Sequence, residues 1–186
     1  FKIGDYQGAT IVDATSEHTV DDLIANPQME ELEKIAPNYN LDLPNIPGGI
    51  TNLLLTNGDR SILVDAGIPK PAGEINLGLA ELGISPGDID MIVITHSDLD
   101  HVGGLVDEEG EVVYKNAKYI IVKDMWDFWS SDEKRIELTR LNNSTAENSQ
   151  FVWDIFLKVE GSIQIVESGE EFLPGMSLRF APGHRY

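Results

Sequence analysis

Met91-Ile-Val-Ile-Thr-His-Ser-Asp-Leu-Asp-His-Val-Gly-Gly104 is the stretch around which the chain is built. The apolar run Met91 to Ile94 has the length of a buried strand. It ends abruptly in His96, Asp98, Asp100 and His101, followed by Gly103 and Gly104. A buried strand aims its end rigidly, and a tight turn after it gathers side chains on one point. Imidazole nitrogens and carboxylate oxygens suit zinc, iron or manganese. Packing alone gives no reason to set two imidazoles and two carboxylates at the mouth of a strand.

Working outward, His184 lies in a second strand-end turn, Phe180-Ala-Pro-Gly-His184, and is a candidate ligand arriving from a distant part of the chain. Asp65, in Leu63-Val-Asp-Ala-Gly67, ends another short apolar run. A carboxylate there can orient a metal-bound histidine or cap the turn that follows. Thr95 stands beside His96 in the same orienting or structural capacity. His18 has no such setting and reads as a surface residue.

The metal turn lies among α/β signals. Ile50–Thr56 and Ser61–Val64 read as a hairpin around Asn57-Gly58, a pair suited to a tight primed turn. Ile75 to Leu82 predicts a helix with Ile75, Leu79 and Leu82 inward, stopped by Gly83. The order hairpin, helix, strand, metal turn describes a sheet with a crossover helix. Upstream, Ile3–Asp13 reads as a strand or hairpin broken at Gly4 and Gly8. Thr19 caps a short helix, and Pro27 opens another that runs to Ile35. Asn38 to Gly49 reads as a loop, either a pocket wall or a plain connection. Downstream, Tyr119–Val122 is a strand. Trp126 and Trp129, three apart, share a helical face, as core or as the aromatic wall of a substrate pocket. Leu138–Gln150 is polar. Phe151–Val159 predicts a helix with Phe151, Ile155 and Phe156 inward, and Ile163–Val166 and Met176–Phe180 are strands.

Composition narrows the partners. The chain has 186 residues, no cysteine and a net charge of −19. A chain of this length can bury roughly 70% of its unfolded surface. Without cysteine, any metal site must use His and carboxylate ligands. The acidity makes nucleic acid and anionic membrane poor partners. No apolar stretch approaches the roughly 20 residues of a membrane span. The expected partner is a small-molecule substrate, and an open sheet edge invites a homodimer. With no signal-like apolar core, a cytoplasmic location is expected.

The turns together resemble the metallo-β-lactamase superfamily. Its signature, Thr-His-x-His-x-Asp-His before small residues, is matched by Thr95-His96-Ser97-Asp98-Leu99-Asp100-His101-Val102-Gly103-Gly104. Leu63–Gly67 resembles the second conserved stretch and Pro182-Gly-His184 the third. The similarity runs from about Ile50 to Tyr186, and the Trp126–Trp129 region looks most like the lactonase and organophosphate-hydrolase branch. The resemblance implies an αββα sandwich with metals at one edge, and a single domain over 1–186. It implies that His96, Asp98 and His184 bind a first metal and Asp100 and His101 a second, with Asp100 also orienting the attacking water. One or two zinc ions are expected.

Asp98 stands where the family usually carries histidine. A carboxylate still ligates zinc, but it adds charge and hardness and moves preference toward iron or manganese. The family also carries a bridging aspartate and a final histidine after the Pro-Gly-His turn. The chain begins at Phe1 without Met and reaches Tyr186 two residues after His184. We therefore expect a trimmed start and a domain truncated after the third motif. The expected activity is hydrolysis of an ester, lactone or related bond by metal-bound hydroxide. The alternatives are a non-catalytic metal-binding or interaction protein and a di-iron redox member.

Overall fold

The computed structural model describes residues 1–141 and 146–184. Seven strands form one sheet in sequence order: β1 (Lys2–Ile3), β2 (Tyr6–His18), β3 (Ile46–Thr56), β4 (Ser61–Val64), β5 (Met91–Val93), β6 (Lys118–Val122) and β7 (Ile163–Val166). Pairing is antiparallel from β1 to β4 and parallel from β4 to β7. Parallel neighbours require crossovers, and the chain supplies helices for them: α3 (Ile75–Glu81) between β4 and β5, and α5 (Lys123–Trp129), α6 (Asp132–Leu141) and α7 (Ala146–Val159) between β6 and β7. The short α1 (Val20–Leu23) and α2 (Met29–Ile35) precede β3, and α4 (Leu99–Val102) follows β5.

The middle strands are buried on both faces, which is why they read as unbroken apolar runs. Leu54, Leu63, Ile92, Tyr119 and Ile121 meet the helical layer, where Ile75, Leu79, Ile155 and Phe156 close the larger core. Leu55, Ile62, Val93, Ile120 and Val166 point to the opposite face, against a separate hairpin of β8 (Glu171–Leu173) and β9 (Met176–Ser177). Helix, sheet and hairpin make an α/β fold of the expected class. Among the described residues no helix is long and apolar enough to cross a membrane.

Several local expectations are refined. β3 begins at Ile46, so Pro47, Gly48 and Gly49 belong to a strand and not to a loop. They pair with the far end of β2, and a Cβ on Gly48 would lie 2.7 Å from the His18 ring. His18 is half-buried over that glycine, with Nε2 2.7 Å from Ser16 Oγ. The β3–β4 turn is centred one residue later than expected. Gly58 takes φ +86°, while Asn57 Oδ1 accepts the Asp59 and Arg60 N–H groups. Leu82 is 48% exposed because α3 ends before it, and Phe151 is 38% exposed because α7 turns Val152 inward instead. Within the polar stretch 138–150, helix occupies both ends, and residues 142–145 lie outside the described residues. The strand expected over Met176–Phe180 stops at Ser177.

Candidate metal centre

The site lies where β4, β5 and β6 end, at the carboxyl edge of the parallel strands, the usual location for ligands in open α/β sheets. β4 delivers Asp65, whose backbone turns sharply with φ +61°. The Asp65 N–H still donates to Val93 O at 2.9 Å, so this turn is tied to the end of β5. β5 delivers residues 95–101. Asp98 caps α4 with its carbonyl, which accepts N–H from His101 and Val102 at 2.9 and 3.1 Å.

Two glycines let this turn dock on the β4 end. A Cβ on Gly104 would lie 2.0 Å from Ala66 O, and one on Gly103 would lie 2.4 Å from Pro69 Cδ. In their place, Gly104 N donates to Gly67 O at 3.1 Å and Ala66 N donates to His101 O at 2.8 Å. The small residues after the histidines are a condition of close backbone contact.

Asp65 organises both imidazoles. Its Oδ1 accepts Thr95 N–H at 2.8 Å, and its Oδ2 accepts the Thr95 hydroxyl at 2.7 Å. His101 Nδ1 lies 2.7 Å from the same Oδ2. Because the Thr95 hydroxyl donates to Asp65, its oxygen is left to accept from His96 Nδ1, 3.1 Å away. Both rings thereby present Nε2 outward, toward one another's neighbourhood, with ring centroids 3.8 Å apart. Fixing a ligand histidine through its other nitrogen sets both tautomer and orientation.

His184 arrives from the segment after β9. That segment is anchored where Phe180 N donates to Ser168 Oγ at 2.9 Å and Gly169 N donates to Leu178 O at 2.6 Å. One ligand atom each from His96, Asp98 and His184 lie within 4.8 Å of one another. Asp98 Oδ2 is 3.8 Å from His96 Nε2 and 3.6 Å from His184 Nε2. Tetrahedral zinc ligands at ordinary bond lengths are about 3.4 Å apart, so this donor set fits one divalent ion with little movement. Asp100 Oδ2 and His101 Nε2, 3.3 Å apart, offer the donors for a neighbouring ion.

The charges agree with that geometry. Burial and the adjacent His101 hold His96 below its usual pKa, which favours the neutral, ligating form. Burial works against a charge on His101, but hydrogen bonds to Asp100 and Asp65 outweigh it and raise its pKa to about 9. The hydrogen bond from His101 keeps Asp100 below the usual carboxylate range.

A cavity of about 320 Å³ opens beside the centre. Thr95, His96 and His184 form its metal side, and Val122, Met125, Leu178 and Phe180 its apolar side, with Arg179 at the wall. Trp126 and Trp129 do not line it, and neither do residues 38–49. Both tryptophans face the helical layer. Trp129 packs on Phe156 and donates its indole N–H to Ser97 Oγ at 2.6 Å, while Trp126 packs on Trp153. α5 follows β6 directly, so its inward face meets α7, and Val122 and Met125 are what reach the cavity.

A family model described as the Metallo-beta-lactamase superfamily matches residues 46–174. The chain belongs to this superfamily. Among curated proteins, the Anti-Pycsar protein Apyc1 of Paenibacillus sp. (strain J14) is 46% identical over 54 residues, 29% of this chain and 20% of that protein. Metallo-beta-lactamase domain-containing protein 1 of Xenopus laevis is 27% identical over 95 residues, 51% of this chain and 37% of that protein. Among solved structures, AidC, described as a dizinc quorum-quenching lactonase, superposes with TM-score 0.85 at 23% identity. The match covers 100% of this chain and 66% of AidC. The hydrolase AbOPH gives TM-score 0.75 at 21% identity over 92% of this chain and 61% of its own. The chain thus spans less than two thirds of each of these relatives.

Asp13 is not among the residues that the sequence motifs mark. It is fully buried on β2 and reaches the loop behind Asp65. The available signal was an acid two residues after Ile11, on the face that alternation turns inward, where a carboxylate needs buried partners.

Proposed function

We propose that this protein is a metal-dependent hydrolase acting on an ester, lactone or related bond of a small, partly apolar substrate. The observation that carries the reading is the convergence of His96, Asp98 and His184 on one point, with Asp100 and His101 alongside and an apolar cavity opening onto them. The descriptions of AidC as a lactonase and AbOPH as a hydrolase support the same class.

In this reading His96, Asp98 and His184 hold one divalent ion, most readily zinc, and Asp100 and His101 contribute to a second. A bound ion of this kind supplies Lewis acidity and makes water a nucleophile near neutral pH. The chain's own residues do the rest. Asp65 and Thr95 lock the two imidazoles. Asp100, beside the same ion, would orient the attacking water. Val122, Met125, Leu178 and Phe180 receive the apolar part of the substrate and exclude bulk water from it.

His96→Ala combined with His101→Ala should remove both bound metal and turnover of esters and lactones. Unchanged metal content in the double variant would sink the proposal. Asp98 in a position the family usually gives to histidine favours a second reading, a metal-binding protein without hydrolytic activity. Full metal occupancy with no turnover on a panel of esters, lactones, phosphotriesters and thioesters would select it.

A further inference from the structure

Asp13 lies far from the metal turns in sequence, yet its carboxyl group is built into the support of one of them. It sits at the bulge of β2 with no exposed surface. Its Oδ2 accepts Ile68 N–H at 2.7 Å, its Oδ1 accepts Ile75 N–H at 2.6 Å, and its carbonyl accepts Glu74 N–H at 3.1 Å. The loop between β4 and α3 is therefore wrapped around this one side chain. The loop is also shaped for it. A Cβ on Gly67 would lie 2.2 Å from Asp13 Oδ2, and one on Gly73 would lie 2.9 Å from Oδ1.

The same loop touches the metal turn on its other side. It begins at Asp65, which holds His101 Nδ1 at 2.7 Å. Ala66 N and Gly67 O hydrogen-bond His101 O and Gly104 N, and Pro69 fills the space left by Gly103. Asp13 thus reaches His101 through an unbroken series of contacts: its carboxyl group, the loop Gly67–Ile75, Asp65, and the imidazole.

We propose that Asp13 is a positioning residue for the Asp100–His101 half of the metal centre. The inference rests on the two-metal reading above. His184 does not depend on this loop, and His96 meets Asp65 only at one remove. His96 is reached through Thr95, and His184 is anchored on the Ser168–Gly169 turn. Loss of the Asp13 carboxylate should therefore loosen one half of the centre more than the other.

The test uses Asp13→Asn, which keeps the volume and removes one acceptor, and Gly73→Ala, whose new methyl group crowds Ile68 O at 2.7 Å and the Asp13 carboxyl group at 2.9 Å and so disturbs the same packing from the loop side. Two readouts are taken on the whole protein. One is stepwise zinc binding to the metal-free form by calorimetry. The other is the ring-nitrogen NMR signal of His101 in the metal-free form, assigned among the four histidines of the chain. In both variants the second zinc should bind roughly tenfold more weakly, the usual cost of losing an outer partner, while the first changes little. The His101 signal should move and that of His18 should not.

An unmoved His101 signal overturns the proposal. So does equal weakening of both ions in step with a fall in melting temperature, which is what a merely structural role predicts. If the wild-type protein binds zinc but hydrolyses nothing, the hydrolase reading fails while the ion-by-ion comparison still decides the role of Asp13. If it binds no second ion, the NMR signal decides it alone.

Discussion

Asp65 Oδ2 lies 2.7 Å from His101 Nδ1, across 36 residues of chain. The same oxygen accepts the Thr95 hydroxyl, so one buried carboxylate fixes the two histidines that begin and end the metal turn. The centre is held from behind, and its ligating nitrogens are aimed before any ion arrives.

Asp65→Ala removes the acceptor for Thr95 N–H, the Thr95 hydroxyl and His101 at once, and also places a Cβ-bearing residue without a side-chain acceptor at φ +61°. Denaturant titration of the metal-free protein should show a loss of roughly 1–3 kcal/mol. Asp65→Asn, which tolerates the left-handed backbone better, should cost less. Equal cost for the two variants would mean that backbone geometry does not contribute here.

Gly104→Ala puts a methyl group 2.0 Å from Ala66 O, a backbone atom that cannot swing away. The two strand ends must part. Destabilisation of about 1–3 kcal/mol is expected from overpacking, together with weaker metal binding. Gly110→Ala provides the contrast. Its positive φ makes it strained as well, but it faces only the Lys158 side chain, so metal binding should be untouched.

In the metal-free protein His101 has a pKa of about 9 against an ordinary 6.5. A raised pKa means that the folded state binds the proton more tightly than the unfolded state. This contribution to stability is complete below pH 6.5 and is lost as pH rises through 9. Chemical denaturation at stepped pH should show the decline over that window, and His101→Gln should flatten it. A wild-type profile flat across the window would contradict the assignment.

Leu79 and Leu82 lie on the same helical repeat but have different surroundings. Leu79 has no exposed surface and Leu82 is 48% exposed. Leu79→Ala should cost about 2–5 kcal/mol. Leu82→Ser should stay within about 0.5 kcal/mol of wild type. Melting curves of the two variants decide it.

Much of this was legible along the chain. Apolar runs that stop at acids and histidines marked β4 and β5, because strands buried on both faces must be apolar throughout while their ends are free to carry chemistry. Thr19 and Gly83 marked helix ends through local hydrogen bonding and positive φ, both of which a short stretch settles for itself. The ligand types were readable for the same reason, since imidazole and carboxylate at one turn have few other uses.

What the sequence could not show is what depends on neighbours distant in the chain. Whether Trp126 and Trp129 face a cavity or α7 was decided by how α5 leaves β6. Whether Pro47–Gly49 is loop or strand was decided by the length of β2 beside it. Alternation from Ile11 turns Asp13 inward, but the amides it meets there, those of Ile68 and Ile75, lie 55 and 62 residues away. For Met91–Gly104, the order of residues alone determined that a metal could be held there. Only the tertiary structure decided how: Asp65, Asp13 and the glycine contacts aim those ligands from behind, because side-chain orientation is set by packing and hydrogen bonds between strands, and spacing along one strand does not contain them.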